Sequence, residues 1–168
     1  DATRAAVLER GYRVKDKSFG QIAPLAGFAA SEEPELQIEA RPSLEWTAGV
    51  AALQSGNKTH VGHLAAIVEK IRLPAGFATW LVEGEAVAFG MSVAERGMAE
   101  IGLICVHPDH RGHGFGRRIV RGLMGWAAAM GCGHAYLQVE QGNAVANNLY
   151  GSLGFRQLYA YETRILDL

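Results

Sequence analysis

Cysteine is scarce in this sequence. Its 168 residues hold two, Cys105 and Cys132, too few for the disulfide framework of a small secreted domain, so a reducing, cytoplasmic compartment is expected. Long apolar runs are missing as well. Nothing approaches the roughly 18 consecutive apolar residues of a membrane-spanning helix, and the first residues lack the pattern of a signal peptide. There is no initiating Met either, which points to a chain that begins upstream of Asp1. Charge of one sign is not in excess. With 16 Lys and Arg against 17 Asp and Glu, the balance lacks the basic surplus of a nucleic-acid binder. One local cluster, Arg117, Arg118 and Arg121, remains available to an anionic ligand. What is present is an ordinary soluble composition, long enough for one domain around a single core.

The apolar pattern predicts the elements. Ala2 to Arg10 reads as a short helix closed by Gly11, and Tyr12 to Ile22 as a polar, extended stretch followed by a loose segment through Pro34. Leu36 to Arg41 alternates like a half-buried strand. Pro42 and Ser43 open a helix to about Leu53, and Val61 to Ile71 carries apolar residues at helical spacing. Phe77 to Val82, Ala86 to Val93 and Ala99 to Val106 are apolar runs separated by Glu83-Gly84-Glu85 and Glu95-Arg96-Gly97. Such separators predict an antiparallel meander. A helix over Gly116 to Met130, a strand over His134 to Val139, a helix over Ala144 to Leu153 and a strand over Phe155 to Ile165 complete a mixed α/β sheet flanked by helices.

Val106 to Arg118 (VHPDHRGHGFGRR) is the most informative stretch: a strand ends, a loop turns, glycines alternate and a helix begins. Gly112, Gly114 and Gly116 let the backbone approach a ligand closely. Their N–H groups, with the positive end of the following helix, suit a pyrophosphate. A P-loop would require Lys and then Ser or Thr after the last glycine, where Arg117 and Arg118 stand. A dinucleotide fingerprint would require one more residue in the last glycine interval and no His107 to Arg111 insertion, although Glu140 ends the next strand where a ribose-binding acid would sit. His107, His110 and His113 recur every third residue, but a structural zinc site draws four ligands, usually with Cys among them, so no metal is expected.

Arg111-Gly112-His113-Gly114-Phe115-Gly116 resembles the Arg/Gln-x-x-Gly-x-Gly/Ala signature of the GNAT N-acetyltransferases. Asn143-Ala144-Val145-Ala146-Asn147-Asn148-Leu149-Tyr150, followed by Leu153-Gly154-Phe155, resembles that family's Asn-x-x-Ala-x-x-Leu-Tyr and Leu-Gly-Phe element. The resemblance covers Phe77 to Phe155 closely and Leu36 to Leu73 only in the order of elements. It implies a mostly antiparallel central sheet over residues 36–168 and acetyl-CoA as cofactor. It further implies direct transfer of the acetyl group to an amine of a small molecule or peptide. The pantetheine arm would pair with the backbone at Ile104 and Val106, with Cys105 between them as a small hydrophobe. Arg111, Gly112, His113, Gly114, Phe115, Gly116 and Arg117 would cradle the pyrophosphate, and Asn143 would contact the pantetheine or cap its helix. Tyr150 would protonate the departing thiolate, and Glu100 would serve as base, unless it is merely a surface strand residue. Glu100 shares a nominal face with Gly102, Ile104 and Val106 if no bulge intervenes. A non-catalytic acyl-CoA sensor is the alternative of a different class.

A weak internal repeat is also present. Val7-Leu8-Glu9-Arg10-Gly11-Tyr12-Arg13 can be laid over Tyr150-Gly151-Ser152-Leu153-Gly154-Phe155-Arg156, each a helix end at Gly continuing as aromatic-Arg into an extended segment. A common helix–Gly–strand junction would look the same. As a repeat, residues 1–35 would be a helix–strand extension left from a degenerate first copy, with Val7 where Tyr150 stands. Its strand would then pair with the main sheet or with a partner chain, which admits a homodimer.

Overall fold

The computed structural model describes residues 2–54 and 61–166, with side chains from residue 6 to 54 and from 62 to 166. Helix α1 spans Ala2–Glu9 and strand β1 Arg13–Pro24; β2 is Leu36–Glu39, α2 Leu44–Leu53 and α3 Val61–Val68. Three strands follow, β3 (Ala75–Val82), β4 (Glu85–Glu95) and β5 (Met98–Val106). Then come α4 (Phe115–Ala129), β6 (His134–Glu140), α5 (Ala144–Ser152) and β7 (Arg156–Ile165). No described helix is long and apolar enough to cross a membrane.

Local chemistry accounts for the joints. Ser43 caps α2 by accepting from the Trp46 N–H at 3.0 Å. The meander turns as predicted. Glu83 and Gly84 both have positive φ, as do Arg96 and Gly97, which is the geometry of two-residue hairpin turns whose twist matches that of the flanking strands.

The strands form one sheet in the order β2-β3-β4-β5-β6-β1-β7. Every neighbouring pair is antiparallel except β5 and β6. One face packs against α4, where Ile119, Val120, Leu123 and Met124 are fully buried. The other is covered by α2 and α3, which bring Trp46, Val50 and Leu64 onto Phe77 and Phe89. Trp46 ties α2 to the sheet through its indole N–H, which reaches the carbonyls of Ala78 and Gly90 at 3.1 and 3.2 Å. On the other side, α4 presses so closely on the loop after β1 that a Cβ at Gly125 would lie 2.0 Å from the Ala29 carbonyl oxygen. That contact docks the loop after β1 onto α4.

Candidate functional site

The site begins where two strands part. β5 pairs with β6 only from Met98 to Glu100, against His134 to Tyr136, and beyond Glu100 no further pairs join them. On its other edge β5 stays bonded to β4, but the register jumps from Met91↔Gly102 to Phe89↔Cys105. The extra residue is a bulge at Leu103, whose φ is +55°. This bulge corrects the expectation that Glu100 shares a face with Ile104 and Val106. Past it the alternation is reset, so Leu103 and Cys105 turn toward the α2 and α3 cluster while Ile104 and Val106 pack on the α4 side. Glu100 is held back along its own strand. A Cβ at Gly102 would stand 2.9 Å from the Glu100 Oε1, so glycine there leaves room for the carboxylate to lie toward the splay.

At the mouth of the splay, a single 3-10 turn, Pro108–His110, leads through Arg111 to Gly112 and Gly114. Both glycines have φ of +81°, and a Cβ added at either would meet nothing within 4 Å. The backbone therefore faces open space there. Gly114 is the N-cap of α4 and offers its first-turn N–H groups no side-chain acceptor. Donors without an internal partner at the positive end of a 15-residue helix suit an anionic phosphate group.

A cavity of about 550 Å³ runs from this cradle into the splay. Ile104, Cys105, Val106, Arg111, Gly112, Gly114, Phe115, Gly116, Arg117, Asn143 and Tyr150 all line it, so the structure brings together nearly every residue chosen for cofactor binding. His113 stands apart. It stacks on Phe115, with ring centroids 6.0 Å apart, and lines a separate cavity with Arg118 and Arg121. Asn143 caps α5, its Oδ1 accepting from the Ala146 N–H at 3.0 Å. Arg111 folds back, and its Nε–H donates to the Val106 carbonyl at 3.2 Å. Leu53 and Gln54, at the end of α2, also line the cavity, and sequence reasoning missed both because α2 carries no motif. Ala146 and Leu149 were legible in principle, since they share the helical face of Tyr150.

Electrostatics separates the titratable groups. Burial pushes the Tyr150 phenol up to about 12, and the nearby Glu100 carboxylate adds to the rise. Tyr150 is thus a protonated donor at neutral pH, with its ring edge-on to Phe155 at 5.9 Å. Desolvation raises the Glu100 carboxyl above its ordinary value, which makes it a stronger base than an exposed carboxylate. Burial also lifts the Cys105 thiol to about 12, only partly offset by Arg111. A thiol so protonated is a poor nucleophile.

Glu100 opens onto a second cavity, of about 490 Å³, with Glu95, Met98, Tyr136 and Tyr159 in its wall and β1 contributing Gly20, Gln21 and Ile22. Burial first, then Glu100, Glu95 and Tyr159, raise the Tyr136 phenol, while Arg96, 3.6 Å from the Glu95 carboxylate, also lines this cavity. A larger cavity, of about 680 Å³, lies between α3, the start of β3 and the end of α4. None of the candidate site residues lines it.

Residues 51–155 match the model of the Acetyltransferase (GNAT) family. Among curated proteins, the uncharacterized N-acetyltransferase YobR of Bacillus subtilis is 36% identical over 69 residues, 41% of this chain and 28% of its own length. Among solved structures, a protein of Novosphingobium aromaticivorans assigned to the GNAT family is 27% identical. It superposes with a TM-score of 0.69 over 89% of this chain and 64% of its own. A tandem GNAT protein from the clavulanic acid biosynthesis pathway shares the fold at 15% identity and a TM-score of 0.68. The match covers 99% of this chain and 60% of that one. The chain thus spans less than two thirds of the length of each of these relatives.

Proposed function

Because this chain belongs to the acetyltransferase (GNAT) family, we propose that it transfers the acetyl group of acetyl-CoA directly to an amine, with Tyr150 as acid and Glu100 as base. The observation that carries this reading is the splay of β5 from β6. It opens a cavity that runs from the glycine cradle to Tyr150, while Glu100 sits where the strands part and lines a second cavity suited to the acceptor.

When bound, acetyl-CoA supplies the thioester whose carbonyl a neutral amine attacks. The backbone of Gly112 to Gly116 binds the pyrophosphate, and Arg111 and Arg117 add positive charge beside it. Ile104 and Val106 offer backbone groups on the edge that β6 has left. Once Arg111 turns to phosphate, the Val106 carbonyl it now holds is freed. The acceptor arrives as an ammonium, which the Glu100 carboxylate favours, and Glu100 takes its proton directly or through water. Tyr150 then gives its phenolic proton to the sulfur leaving group. The acceptor is a small molecule or peptide amine whose body rests on Tyr136 and Tyr159. A tandem GNAT fold that aligns with almost all of this chain supports reading α1 and β1 as the remnant of a first repeat.

Glu100→Gln tests the base. In the native enzyme, kcat/KM should rise with pH through a limb lying above the ordinary carboxylate range, because desolvation raises Glu100. The variant should lose on the order of a hundredfold near neutral pH. It should recover as the pH approaches the ordinary amine value of about 10.4, where the acceptor sheds its own proton. A pH profile identical to that of the native enzyme removes Glu100 from the chemistry.

A further inference from the structure

The weak repeat in the sequence becomes a symmetry in the sheet. The alignment that carries Gly11 onto Gly154 and Arg13 onto Arg156 also carries Ser18 onto Tyr161 and Ile22 onto Ile165. In the sheet, Ser18 is the register partner of Tyr161, so that equivalent pair lies on a local two-fold axis. The other pairs obey the same axis. Arg13 faces Ile165 while Ile22 faces Arg156, and Val14 faces Arg164 while Gln21 faces Gln157. Both irregularities obey it too: the residue skipped in β1 is Lys15, the one skipped in β7 is Leu158, and these two are equivalent. Helices α1 and α5 precede the two strands, and each junction turns at a glycine with positive φ, +80° at Gly11 and +90° at Gly154. A chance helix–Gly–strand junction has no reason to place its bulges at matching positions.

The axis is broken in one respect. β6 pairs with the second half of β1, Ser18 to Pro24, whereas among the described residues the equivalent half of β7, from Tyr161 on, has no strand on its outer side, since β7 ends the sheet. Ser18, Gly20, Gln21 and Ala23 are buried, while Tyr161, Thr163, Arg164 and Leu166 are not. Among the described residues, the two side chains with a buried polar atom lacking a hydrogen-bond partner are Gln21 and Arg164, which are again equivalent.

We infer that the outer edge of β7, from Tyr161 to Ile165, is the seat of the strand equivalent to β6 in a second GNAT fold, and that α1 and β1 are the closing helix and strand of that fold. The complete sheet then runs β6-β1-β7 and on into the partner fold's counterpart of β6, with the two folds sharing a sheet across the axis. The shared pair β1 and β7 is already in place, so the second fold extends an interface the chain has begun. This assembly stands apart from acetyl transfer and is tested without it.

Residue-resolved hydrogen exchange on the intact protein reads the edge directly. A free edge strand protects only alternate amides, those aimed at β1. With the second fold seated, all amides from Tyr161 to Ile165 should exchange on the order of a thousandfold more slowly than unprotected ones, to the same degree at every protein concentration. Alternating fast and slow amides along Tyr161 to Ile165 would overturn the inference. So would protection that appears only as light scattering records a dimer, since a second copy of the same chain would then cover the edge.

Discussion

Gly114→Asp should weaken acetyl-CoA binding by about a hundredfold or more, since juxtaposing like charges costs several kcal/mol. The Gly114 backbone faces open space at the start of α4, and a Cβ there meets nothing within 4 Å. The aspartate side chain would therefore stand in the cradle with its charge toward the pyrophosphate. Its φ of +81° is tolerated by Asp and Asn better than by other side chains, so the fold should persist. Gly114→Asn adds nearly the same bulk without the charge, and its loss should be nearer tenfold, below the cost of a like charge. Calorimetry on both variants separates charge from shape. Native affinity in the aspartate variant would remove these glycines from the binding site.

Tyr150→Phe should lower turnover on the order of a hundredfold while leaving acetyl-CoA affinity nearly unchanged, the signature of a lost general acid. The ring keeps its contact with Phe155, so packing alone predicts little loss. Burial holds the phenol at about 12, which keeps the proton available across the neutral range. A free thiol titrates near 8.5. Above that pH the thiolate is stable without a donor, so the defect should shrink as pH rises. Full activity in the Phe variant would return Tyr150 to a packing role.

Much of this was legible in the sequence, for identifiable reasons. The meander could be read because Glu83-Gly84 and Arg96-Gly97 are local turn signals whose geometry depends on little beyond themselves. The turn before α4 could be read because Gly112 and Gly114 take a positive φ that favours glycine. The bulge at Leu103 was hidden. A leucine with positive φ carries no propensity signal, and the conformation goes with the register shift in the pairing of β5 with β4. That single residue moved Ile104 and Val106 to the opposite face from Glu100. The place of β1 between β6 and β7 was also beyond local reading, because strand order depends on contacts between residues more than a hundred positions apart. Leu53 and Gln54 reach the cavity beside Tyr150 because α2 is anchored by Trp46, an apolar residue indistinguishable in sequence from any other core position.

The central claim is that acetyl-CoA bound in the splay gives its acetyl group to an amine. Release of free thiol from acetyl-CoA by the purified protein, measured against a panel of primary amines with mass analysis of each amine, tests it most directly. The account predicts thiol release that depends on both protein and amine, a product heavier by one acetyl group, and loss of both in Tyr150→Phe. Tight acetyl-CoA binding with no amine-dependent thiol release across small-molecule and peptide amines would contradict it, and would leave an acyl-CoA sensor built on an acetyltransferase fold.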